Sequence, residues 1–123
     1  MRFLVGAIGV LAILVAVRIW LAPALVGATL GLTPVGGLGL ATLRADVAGF
    51  FGAAGVLALA GAVRDDGGLL TAPLVMLSLA LTGRLVSVAM GGLSAPQVPP
   101  MIVEAVLLVL LALGRRSLGA SRV

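Results

Sequence analysis

Four charged residues lie inside stretches that are otherwise apolar: Arg44, Asp46, Arg84 and Glu104. A guanidinium in such surroundings binds phosphate or carboxylate through a fork of N–H donors. A carboxylate there either pairs with such a cation or handles a proton. Arg18 and Ser87 complete the set of candidate site residues. Arg44 and Asp46 are two residues apart and fall on different faces of a helix, so each is expected to address a different neighbour.

Little other chemistry is available. The 123 residues contain no Cys, His, Tyr or Lys, which removes disulfides, thiolate and imidazole metal sites, Schiff bases and the commonest general base. Glu104 or Asp46 offers a base without a nucleophile, because no Gly-x-Ser-x-Gly elbow is present. No catalytic residue, metal or cofactor is expected. All eight cations are Arg, scattered singly or in one pair, and aromatics are 3%, so a nucleic-acid patch has nothing to rest on.

The elements that position these residues follow from composition. Hydrophobic residues make up 62% and charged ones 10%, where a soluble domain needs about a quarter charged to face water. Four apolar runs stand out, at roughly 3–21, 41–63, 69–90 and 98–113, each near the ~20 residues that cross ~30 Å of hydrocarbon. In lipid only a helix pairs its own backbone groups within one segment, and no run alternates in polarity as barrel strands do. The expected fold is therefore all-α, a single four-helix transmembrane bundle. Reading the first run as a cleaved secretory signal is opposed by Arg18 within it and by Pro23 between the small residues that follow. Residues 23–40, rich in Gly and holding Pro23 and Pro34, read as a long connector, flexible or partly interfacial. The Arg, Ala, Gly, Leu and Val bias without Lys also suits a GC-rich bacterial genome.

With four spans both termini share a side with the second connector. That side holds Arg2, Arg64, Arg115, Arg116 and Arg122, whereas the connectors at 22–40 and 91–97 hold no Arg. The positive-inside rule then places both termini in the cytoplasm of a bacterial inner membrane. On these spans Arg18, Arg44, Asp46, Arg84 and Glu104 all fall in the outer half.

A charge near the bilayer centre costs about 2.5–3.5 kcal/mol. Three uses of the cluster stay open. Arg84 can pair with Glu104 or Asp46 and fix helix register. Three Arg against two acids leave one positive charge for an anionic group such as a lipid phosphate. Proton or ion movement, or plain snorkelling of Arg18 and Arg44, is the third. Membrane lipids are the expected partners, with a second copy or another membrane protein left open. Ala41, Ala45, Gly49 and Ala53, with Gly52 and Gly55 beside them, form a small-residue stripe that lets another helix approach closely and makes the second helix central.

Two stretches resemble the bacterial family known as domain of unknown function 4345. The run Leu43-Arg44-Ala45-Asp46-Val47-Ala48-Gly49 is similar to that family's Arg-x-acid, small-residue helix. Gly83-Arg84, then Gly91-Gly92, Ser94, Pro96 and Glu104, resembles its pattern across the third and fourth helices. The likeness spans roughly residues 3 to 113. It implies a four-helix membrane protein, DoxX-like in layout, with no established activity and with Arg44, Asp46, Arg84 and Glu104 at the matching polar positions. Arg18 lies outside the pattern. Gly91 stands where the family often has an acid, so no role for that acid carries over.

Overall fold

The structure, a computed structural model, describes residues 1–119; Arg122 lies outside the described residues. Every regular element among the described residues is helical, with helices α1 (Arg2–Leu21), α2 (Pro23–Thr29), α3 (Gly36–Thr42), α4 (Ala48–Arg64), α5 (Thr71–Gly91) and α6 (Val98–Ser117). A π-helical turn, Leu43–Val47, joins α3 to α4, and 3-10 turns at Gly67–Leu70 and Ala95–Gln97 lead into α5 and α6. Four continuous helical stretches are long and apolar enough to cross a membrane: Arg2–Leu21, Gly36–Arg64, Gly67–Gly91 and Ala95–Ser117.

The connector expected at 23–40 is instead largely helical. Pro23 starts α2, where its missing N–H costs nothing. Gly36, at φ 61°, admits the chain into α3, which runs on into α4, so the second long stretch begins at Gly36 rather than near Ala41. The fourth helix also exceeds its expected end, reaching Ser117 with Arg115 and Arg116 in its last turn, where cations suit the negative end of the helix dipole.

The helices α1 and α4 are packed most closely. A methyl group built at Gly9 would lie 2.8 Å from the Gly55 carbonyl oxygen, and one at Gly55 would lie 2.8 Å from the Gly9 carbonyl oxygen. The two backbones are therefore nearly in contact, a distance only paired glycines permit. The contact face of α4 runs through Ala48, Gly52, Gly55, Ala58 and Ala62. Three of the four residues expected to pack, Ala45, Gly49 and Ala53, are exposed, and a methyl at Gly49 would meet nothing within 4 Å. Gly49 lies one residue past Ala48, about 100° of helix turn. A strict four-residue repeat cannot follow a contact line whose mean spacing is near 3.5. Gly52, which faces Ala16, and Gly55, which meets Gly9, serve as expected.

Two apolar clusters result. The larger, at the end of the bundle that carries both termini, joins Val5, Ala58, Ala62, Leu70, Leu77, Leu111 and Leu118 from all four long stretches. Arg2 caps this end, its Nε donating to the Ala62 carbonyl (2.8 Å) and its Nη2 to that of Val63 (3.1 Å). Arg115 Nε donates to Thr71 Oγ1, and Asp65 Oδ1 accepts the Gly119 N–H. The smaller cluster, Ala16, Ile19, Leu43 and Ala48, holds α1 to the start of α4 at the far end. In α5 and α6 no residue between Ser78 and Leu110 is buried.

Candidate functional site

The far end holds all five charges of interest, but it does not gather them into one cluster. Arg84, on α5 about 10 Å before the helix ends at Gly91, points at α6. Its Nε donates to Glu104 Oε1 at 2.7 Å, a short charge-assisted bond. The Glu104 side chain is 14% exposed and that of Arg84 37%, so the acid is the more enclosed partner. Glu104 Oε2 is buried with no hydrogen-bond partner among the described residues. The terminal nitrogens of Arg84 make no hydrogen bond to a described residue, since Nε alone engages Glu104.

Arg84 borders an open recess of about 260 Å³ lined also by Ala80, Gly83, Ser87 and Gln97. Gly83 keeps the wall low beside Arg84, and Ser87, one turn on, sets a hydroxyl on the same rim. Gln97 is held by its Oε1, which accepts the Ser94 N–H at 3.0 Å, so its amide nitrogen is its remaining polar group. Donors from Arg84, Ser87 and Gln97 thus stand around one opening. Donors of these kinds can hydrogen-bond an oxyanion.

Arg44 plays a different part. Its Nε donates to the Trp20 carbonyl at 3.1 Å, and the Trp20 indole N–H donates to the Arg44 carbonyl at 3.0 Å. The chain turns out of helical geometry at Ala22 (φ −142°, ψ 66°), and Pro23 has no N–H, so carbonyls at the end of α1 lack intrahelical partners. Arg44 fills that need for Trp20, and the π-helical turn around it carries its carbonyl to the indole. Such turns re-aim side chains at the cost of local helix regularity. The reciprocal clasp ties the end of α1 to the start of the second long stretch.

Asp46 and Arg18 are exposed, and neither side chain makes a hydrogen bond or ion pair with a described residue. The structure therefore brings Arg84 to Glu104, keeps Asp46 away from Arg84, and gives Arg44 to Trp20. No group of three or more acids that could hold a metal occurs among the described residues.

Sequence reasoning missed Trp20, Gln97 and Gly9. For Gly9 a signal existed: Gly6, Gly9, Ala12 and Ala16 put small residues along one side of α1, complementary to α4. For Trp20 none did, since its partner lies 24 residues on and bonds through the backbone.

No protein-family model, curated protein or solved structure matches the chain.

Proposed function

We propose that this chain is a small multi-pass accessory protein of the bacterial cytoplasmic membrane, with both termini in the cytoplasm, that holds an anionic, lipid-like group at the Arg84–Glu104 pair. Four apolar helices of sufficient length support the membrane reading, together with large side chains such as Phe3, Leu21 and Met90 that stand at least 80% exposed and would be costly in water. Arg2, Arg64, Arg115 and Arg116 gather at the end with the termini, and the far-end connectors hold none, which supports the orientation. The likeness to domain of unknown function 4345 agrees with this layout.

The observation that carries the binding reading is the half-used pair. Glu104 engages one nitrogen of Arg84, holding the guanidinium in place while its two terminal nitrogens stay available at the recess. In a dry setting those donors favour an oxygen-rich anion, a phosphate or a carboxylate. A purely structural role is the competing reading, favoured by the short Arg84–Glu104 bond itself, which joins α5 to α6.

Arg84→Gln and Glu104→Gln, made singly and together, separate the two. Thermal stability in detergent is measured with and without inorganic phosphate, and co-purifying lipid is read by native mass spectrometry. Binding predicts that Arg84→Gln stays folded and loses the bound lipid, or loses the phosphate response if free anion is the ligand. Restoration of wild-type stability in the double variant with no ligand lost at any stage would overturn it.

A further inference from the structure

Between the α1–α4 pair and the α5–α6 pair lies an apolar slot of about 300 Å³. Its walls include Val15, Phe50, Phe51, Val103 and Leu107, and Phe50 and Phe51 meet edge to face at 5.6 Å. Ala58, Leu77 and Leu111, all members of the cluster at the terminal end, close its floor. Above that floor no residue of α5 or α6 is fully buried, so the slot opens toward the far end and sideways.

No charged residue lines the slot itself, but helical register places two Arg and one Glu beyond its far end. On α5, Ala80 and Arg84 follow Leu77 at three and seven residues, placing Arg84 on the slot-facing stripe about 10 Å above the floor. On α1, Arg18 follows Leu11 and Val15 at the same helical spacing. On α6, Glu104 precedes Leu107 and Leu111 likewise and restrains Arg84. An apolar cleft with the Arg84–Glu104 pair and the uncompensated Arg18 beyond one end suits an amphiphile with an anionic head. Its depth lies within the ~15 Å of one leaflet's hydrocarbon.

We infer that this slot holds one acyl chain of an outer-leaflet phospholipid whose phosphate sits at Arg84. This rests on the binding reading above and adds where the chain goes. Lipid is the occupant that the charge pattern selects: Glu104 already answers the charge of Arg84, but a neutral helix of a partner protein would leave Arg18 without a counter-charge in hydrocarbon, whereas an anionic head supplies one and takes the free donors of Arg84.

The full chain, reconstituted in vesicles of phosphatidylethanolamine and phosphatidylglycerol, is irradiated with a phosphatidylglycerol bearing a diazirine near the end of one acyl chain. Adducts are then mapped by peptide mass spectrometry. The expected result is enrichment on Leu77, Leu107 and Leu111 toward the floor over the outward-facing Val56 and Val75, falling about tenfold in Ala54→Leu, which fills the slot, and equally in Ala12→Leu on the opposite wall. Two slot-filling variants guard against one that misfolds. Even labelling of slot and outward residues, unchanged by either filling, overturns the inference while leaving an anion site at Arg84 standing. Slot labelling that survives Arg84→Gln undiminished refutes the coupling of head to tail, and with it the inference as stated.

Discussion

The two ends of this bundle are built on different terms. At the end with the termini, all four long stretches converge on Leu70, Leu77 and Leu111, Arg2 closes the carbonyls of α4, and Gly114 admits Val5 so closely that a methyl there would lie 2.6 Å from its side chain. At the far end only α1, α2 and the start of α4 share a cluster, while the outer portions of α5 and α6 rest mainly on each other. The closed end spends its sequence on small residues and caps, and the open end keeps its charges. Tight packing fixes architecture in apolar surroundings, and the part left unpacked is where a ligand can compete for contacts.

The sharpest way to break this contrast is at the shared glycines. Gly55→Leu drives a side chain into the Gly9 backbone and is expected to cost about 3 kcal/mol or more, seen as loss of the monodisperse peak in detergent size exclusion. Leu111→Ala, in the closed core, should cost about 2–5 kcal/mol by thermal or denaturant unfolding. The Arg84–Glu104 pair should be asymmetric. Arg84→Gln strands the more enclosed carboxylate and destabilises by about 1–3 kcal/mol, more than Glu104→Gln, which leaves a guanidinium with an open recess beside it. Equal losses would mean that burial does not decide which partner depends on the other.

Trp20→Phe removes one bond of the clasp, with an expected cost of about 1 kcal/mol. Its effect belongs at the far end, as faster amide exchange in α2 and α3 with the closed end unchanged. Smallest of all is Gly49→Ala, which meets no neighbour and should change stability by less than about 0.5 kcal/mol destabilising, or raise it slightly through helix propensity. A large loss there would mean that the exposed face of α4 is packed against something outside the chain.

Legibility in the sequence followed the same division. The four long helices could be read because each is a run of apolar residues, a one-dimensional property that needs no knowledge of neighbours. Arg84 and Glu104 stood out because each is a charge within such a run. What escaped was relational. The stripe of Ala45, Gly49 and Ala53 was conspicuous as a repeat, yet which side of α4 meets α1 depends on Gly9 and on the contact spacing. Arg44 looked like a site residue by type, but its nearest acceptor is a backbone carbonyl released by the turn at Ala22, and carbonyls have no signature in the sequence. The connector lacked a long apolar run, so its two short helices, which depend on Pro23 and Gly36 at their starts, were not visible as helices.

The π-helical turn at Leu43–Val47 has a consequence for azimuth. One additional residue is wound into the helix there, so everything before it is rotated by about 100° relative to an uninterrupted α-helix. Excising a single residue from that turn would restore regular winding with four residues covering nearly the rotation that five cover now, so α3 would keep its facing while the wide turn that carries the Arg44 carbonyl to the indole is lost.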